Sequence, residues 1–185
     1  MVGNTRTKRV HCRMHKRRMV EDIKTYRECP FRSPKAVSEA IKDIISNKLV
    51  CELGCGEGDN MALMSRYAKD IVGVELDPER FKYAKERGFN IVVCDYRKES
   101  LPEAEVYYFW PDNGKKDDEF LVNKILSNPN FKGTIIVAAD MGHRNEPAVV
   151  KELGEKMNAE FIEVPFHEGE GYRQNGKFLL CIIKN

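Results

Sequence analysis

The chain has 185 residues, 31 Lys or Arg against 29 Asp or Glu, and an ordinary apolar share of 42%. That length predicts one domain with its own core, and the longest apolar runs, "TIIVAA" and "FLLCII", are strand-sized and too short to span a bilayer. No apolar run near the N-terminus reads as a secretory signal, and of the six cysteines (Cys12, Cys29, Cys51, Cys55, Cys94, Cys181) four lie in or beside apolar runs, so a reducing, cytoplasmic setting is expected and no membrane partner.

Charge is unevenly spread. Residues 1–18 hold Arg6, Lys8, Arg9, Arg13, Lys16, Arg17 and Arg18 and no acid; residues 19–185 keep 24 basic against 29 acidic residues, a net −5. The expected organisation is a basic, flexible arm over 1–18 and a single domain over 19–185. The arm is either a solvated tail or a polyanion contact through residues 6–18. Arg-rich, acid-free starts also mark transit peptides, but serines are few here and no apolar face is evident. His11, Cys12, His15 and Cys29 do not form a recognised zinc spacing, so no metal is expected.

Tyr26 and Phe31 lead into a helix over 33–47, with Ser33 as its N-cap, Pro34 in the first turn, and Ala36, Val37, Ala40, Ile41, Ile44 and Ile45 on one face. Strands and helices then alternate. "KLVCEL", "DIVGVEL", "NIVVCD", "EVYYFW" and "GTIIVAAD" read as strands; "DNMALMSRYAK", "PERFKYAKER", "DDEFLVNKILSN" and "EPAVVKELGEKM" read as helices. "AEFIEVPF" and "KFLLCIIK" close the chain with no helix between them, which predicts an antiparallel pair. The fold class is α/β, a Rossmann-like, mostly parallel seven-stranded sheet with helices on both faces and a C-terminal antiparallel hairpin.

"ELGCGEGDN" places Gly54, Gly56 and Gly58 at every second position where the first strand opens into a helix. The spacing is G-x-G-x-G, not the dinucleotide fingerprint, and no Lys-Ser pair follows to make a P-loop. Three acids accompany the glycines: Glu52 two residues before Gly54, Glu75 ending the second strand, and Asp95 ending the third. An acid on the second strand can accept both hydroxyls of a ribose, one after the third can accept from an exocyclic amine, and Glu52 can favour a cationic amino group.

This ordered set resembles the class I S-adenosylmethionine-dependent methyltransferases. "ELGCGEG" is similar to their first motif, "GVELDPE" to their acidic second-strand motif, and "CDY" to the adenine-contacting end of their third strand. The resemblance runs from about residue 33 onward and implies S-adenosylmethionine as cofactor. The glycine loop would lie under its methionine part, Glu75 would hold the ribose, Leu76 would pack on the adenine, and Asp95 and Tyr96 would form the adenine-contacting edge. The acceptor is not implied.

The fourth strand ends in "YYFWPDN". It stands where amino-group methyltransferases acting on nucleobases carry [ND]-P-P-[YFW], but it lacks the leading Asp or Asn and the second proline. Phe109 and Trp110 can stabilise a cation or stack on a flat substrate, and Asp112 can orient an attacking amine or take its proton. Tyr107 and Phe109 also fit alternate core positions of a strand. His143, Asp140 and Tyr172 are further rim candidates, with His143 read as a general base or a loop hydrogen-bonding group. The expected activity is methyl transfer (2.1.1.-) to a small molecule or a protein side chain, lysine among them. The alternatives are a nucleic-acid methyltransferase recruited through the basic arm, and a non-catalytic S-adenosylmethionine-binding subunit.

Overall fold

In the computed structural model, which describes residues 35–111, 115–142, 145–166 and 176–185, seven strands form one sheet in the order β3-β2-β1-β4-β5-β7-β6. The basic arm, Tyr26, Phe31, Ser33, Pro34, the His11–Cys12–His15–Cys29 set, Asp112, His143 and Tyr172 lie outside the described residues.

Chain order is α1 (Lys35–Ala40), α2 (Lys42–Ile45), β1 (Leu49–Leu53), α3 (Asp59–Met64), β2 (Asp70–Val74), α4 (Pro78–Glu86), β3 (Asn90–Val92), β4 (Val106–Phe109), α5 (Lys115–Leu126), β5 (Thr134–Asp140), α6 (Glu146–Lys156), β6 (Glu160–Phe166) and β7 (Gly176–Lys184). β1 to β5 pair in parallel, with helices crossing from β1 to β2, β2 to β3 and β4 to β5, and a helix-free connection from β3 to β4. β7 runs antiparallel to both β5 and β6, so the expected terminal pair exists with the last strand wedged inside it.

Strand alternation divides the core into two layers. Val50, Tyr108, Ile136 and Leu180 pack with α1 to α4; Cys51, Leu53, Tyr107, Phe109, Ile135 and Val137 pack with α5 and α6. Tyr107 and Phe109 are therefore both core residues, as their alternate positions suggest. The four cysteines among the described residues are free and buried, and burial pushes the thiols of Cys51, Cys55, Cys94 and Cys181 up. No helix among the described residues is long and apolar enough to cross a membrane.

Two expectations need correction. The helix predicted over 33–47 is two short helices within the described residues, interrupted at Ile41, whose backbone leaves the helical basin at φ −98, ψ 2. Ile41 still bonds Val37 and is bonded by Ile45, and its side chain is fully buried, so packing keeps both turns on the sheet across the break. The third strand stops at Val92, and Asp95 heads a turn beyond it instead of ending the strand. The cause is local: the Asp95 carboxylate accepts the Arg97 N–H at 3.1 Å, the Lys98 and Glu99 N–H groups bond its carbonyl, and Glu99 accepts the Asp95 N–H at 3.1 Å. Such side-chain bonds compete with strand pairing.

Candidate functional site

β1 has β2 on one side and β4 on the other, and chain order reverses between β1 and β4. In an open α/β sheet that reversal splays the crossovers apart and leaves a crevice at the carboxyl ends of the strands. The loop joining β1 to α3, residues 54–58, lies there, and its three glycines answer to three different demands. Gly54 has φ +72, and a Cβ on it would meet no atom of the described residues within 4 Å, so among these residues its face is open. Gly56, at φ +55, turns its N–H onto the Glu75 carboxylate at 2.8 Å. Gly58, at φ +82, caps α3, and a Cβ there would lie 2.8 Å from the Phe89 ring, so this glycine is required by packing as well as by its backbone.

Two acids bracket this loop. Glu75 follows β2 and is buried; its two oxygens accept from Gly56 N–H at 2.8 Å and Asp77 N–H at 2.9 Å. It therefore braces the glycine loop, and each oxygen keeps a lone pair for a further donor. Leu76, next along, is 51% exposed and offers an apolar surface beside it. Glu52 sits within β1, opposite Gly73 and Tyr108, on the layer of α1 and α3. It is 3% exposed; one oxygen accepts from the Asn60 amide at 2.8 Å, and the other is buried without a hydrogen-bond partner among the described residues. Burial pushes its carboxyl up to about 8, against the pull of the Asn60 amide, with the nearby Asp59 charge adding to the rise. A buried carboxyl with one oxygen open suits a cationic donor.

The Asp95 carboxylate is held low, first by Lys98 at 3.2 Å and then by the Arg97 N–H. Both its oxygens thus have local partners, unlike the open oxygen of Glu52. Tyr96, beside it, carries the Arg97 guanidinium 5.7 Å from its ring centre. Trp110 follows β4, is half-buried, donates from its indole N–H to the Tyr108 hydroxyl at 3.2 Å and packs 5.4 Å from Phe178. Phe109 is 2% exposed and belongs to the opposite layer, under α5 and α6. At the end of β5, Asp140 is buried and accepts the Gly142 N–H at 2.8 Å.

Glu52, Gly54, Gly56, Gly58 and Glu75 thus meet at one loop; Leu76 adjoins Glu75, while Asp95 and Tyr96 stand in the turn after β3. Four contributors, in three places, escaped the sequence reading. Asn60, one turn into α3, holds Glu52. Arg87 and Phe89 grip the outer side of the loop from the end of α4. Lys124 of α5 donates to the Tyr96 and Glu99 carbonyls at 2.5 and 2.6 Å, fixing the turn that carries Asp95. "RGF" after a helix was a readable stop signal for the second of these; Lys124, 28 residues from Tyr96, left no local trace.

Residues 51–107 match a family described as "Methyltransferase domain". A search among curated proteins returns no match. Solved structures share the fold: N-methyltransferase NodS from Bradyrhizobium japonicum (11% identical, TM-score 0.61, 82% of this chain and 93% of that one), magnesium protoporphyrin IX methyltransferase from Synechocystis with bound SAM (10%, 0.59, 81% and 79%), and an rRNA methylase from Streptococcus thermophilus (11%, 0.57, 84% and 99%). The matched segment runs from β1 through Tyr107 of β4 and so contains the glycine loop and all three acids.

Proposed function

We propose that the chain is a class I S-adenosylmethionine-dependent methyltransferase and that it moves a methyl group from S-adenosylmethionine to a small molecule or a protein side chain such as lysine, a reading supported by the methyltransferase-domain match over residues 51–107. The observation that carries this reading is the glycine loop with its open face above Gly54, set between the braced carboxylate of Glu75 and the open, buried oxygen of Glu52. These groups fit the two ends of the donor: Glu52 its ammonium, Glu75 its ribose hydroxyls, with Leu76 against the base. The sulfonium supplies an electrophilic methyl group when bound. The chain's own residues then supply alignment and a surface that sheds water, the main requirements of a direct displacement. Trp110, at the carboxyl end of β4, is assigned the wall beside the reacting methyl. Replacing it with alanine is expected to lower turnover at least tenfold while donor affinity stays within a few fold; equal turnover removes it from the acceptor site.

A second reading has its own observation. Seven cations without an acid in residues 1–18 fit an RNA acceptor recruited by charge, and such binding would weaken steeply with salt. One experiment separates the readings. Purified protein is incubated with methyl-labelled S-adenosylmethionine and fractionated cell extract. Label in small molecules or protein supports the first, label in RNA that is lost on deleting residues 1–18 supports the second, and binding without transfer to any fraction leaves a donor-binding subunit. No binding of S-adenosylmethionine overturns all three.

A further inference from the structure

The end of α4 is built as a glycine stop. Arg87 is the C-cap just past Glu86, Gly88 follows at φ +87, the Gly88 N–H bonds the Lys85 carbonyl, and the Phe89 N–H reaches back to the Ala84 carbonyl. This pair of bonds reverses the chain within two residues. It delivers two side chains to the outside of the glycine loop. The Phe89 ring lies directly against Gly58, where a Cβ would come within 2.8 Å of it. The Arg87 guanidinium stands 5.5 Å from the centre of that same ring, and a single nitrogen, Nη1, donates to the Glu57 carbonyl and to the Asp59 carboxylate, both at 2.8 Å.

The position of this bridge matters. Glu57 is the last loop residue before Gly58, and Asp59 opens α3. Asn60, next to Asp59, is the residue whose amide holds Glu52 at 2.8 Å. Arg87 therefore grips the loop one residue from the group that orients the buried carboxylate, while Glu75 grips Gly56 from the other side. Carboxylates crowd the loop: Glu52, Glu57, Asp59, Glu75 and Asp77. Of the two arginines α4 contributes nearby, Arg80 pairs with Asp77 at 4.0 Å and Arg87 with Asp59 at 2.8 Å. The Arg87 pair is 31% and 15% exposed, so solvent screens it only in part.

We infer that Arg87 is a positioning residue for the amino-acid end of the methyl donor: its bridge to Glu57 and Asp59 sets the first turn of α3, and through Asn60 it holds Glu52 where a ligand ammonium is received. This rests on the reading of the cleft as a methyl-donor site. The adenosine end depends on Glu75, Leu76 and the turn after β3, none of which Arg87 touches, so the two ends of the ligand respond differently to its loss.

The test uses the full chain and two probes, S-adenosylhomocysteine and 5′-methylthioadenosine, which keeps the adenosine but lacks the amino acid. Calorimetry on wild type, Arg87→Ala and Arg87→Lys is read beside melting curves. The expected result is at least a tenfold loss of S-adenosylhomocysteine affinity in Arg87→Ala, with 5′-methylthioadenosine affinity within twofold of wild type. Arg87→Lys is expected to recover part of the loss, because an ammonium keeps the charge but not the guanidinium's contact with the Phe89 ring. Asp59→Ala removes the carboxylate end of the same bridge and should reproduce the selective loss if Arg87→Ala does not fold. Unchanged S-adenosylhomocysteine affinity, or equal losses for both probes, overturns the assignment while leaving the methyl-donor reading intact. Wild type that binds neither probe overturns the methyl-donor reading itself and the assignment with it.

Discussion

Glu75→Ala is expected to abolish donor binding in any ordinary titration, with losses of about a hundredfold or more. Two effects add. The variant removes the acceptor offered to the ribose, where hydrogen bonds to a charged group are worth about 1.5–3 kcal/mol each. It also frees the loop, because the amides of Gly56 and Asp77 lose their partner at 2.8 and 2.9 Å. The second effect is visible without ligand: a buried amide left unmade costs about 1–3 kcal/mol, which in a chain of this size lowers the melting temperature by several degrees. Glu75→Gln keeps one acceptor and is expected to fall between the two. Calorimetry with S-adenosylhomocysteine reads the first effect and a thermal melt the second. A variant with unchanged affinity removes Glu75 from the ligand, and an unchanged melt removes its bracing role.

Glu52 governs the pH response. Its carboxyl is pushed from an ordinary 4.5 up to about 8 by burial. The free protein therefore carries Glu52 protonated at neutral pH. The folded state binds more protons than the unfolded one between those values, so the stability this group contributes is fully present below about 4.5 and is lost as pH rises through about 8. The slope in that window approaches 1.4 kcal/mol per pH unit, and Glu52→Gln is expected to flatten it and to melt higher than wild type at pH 8. Binding shows the opposite trend. A ligand ammonium requires the ionised form, so affinity for S-adenosylhomocysteine should rise about tenfold per unit from pH 6 towards pH 8, with release of about one proton at pH 7. Calorimetry in buffers of different ionisation enthalpy counts that proton. Affinity that ignores pH over this range rules out Glu52 as the ammonium's partner.

The elements were legible because each strand is an apolar run bounded by helix starters: Pro78 after β2, Asp59 after the glycines, Pro147 at the start of α6. Glu52, the glycines and Glu75 were legible for a related reason. They are close in sequence to strand ends, and the sheet alone brings strand ends together. What pattern could not show is what holds those groups. Glu75 looks like a free ligand acid until Gly56 is seen donating to it, and Asp95 looks like a strand-end acid until its turn with Arg97, Lys98 and Glu99 is seen. The break at Ile41 was hidden because the apolar spacing stays helical across it. Phe109 read as an edge residue because of its neighbours Trp110 and Pro111, whereas the period of two turns it toward α5 and α6.

The placement of β7 also sets an order of events for a growing chain. β1 to β4, which carry the glycine loop and its acids, pair among themselves as soon as they exist. β5 then waits with one edge bare, from Thr134 to Asp140, and β6 has no neighbour in the sheet at all until β7 has been made. The wing of the sheet therefore assembles in a single late step, when the final strand slides between two partners and closes both seams together. Until then β5 displays an edge of unpaired backbone groups along a largely apolar strand, the condition under which one molecule borrows a strand from another. The charged pairs Glu160–Lys184 at 2.7 Å and Glu163–Lys177 at 2.8 Å lie across the β6–β7 seam. They stand on opposite diagonals of the native register, where Glu160 faces Ile182 and Glu163 faces Leu179, so a two-residue slip in either direction opens one of the two pairs and the native register is favoured.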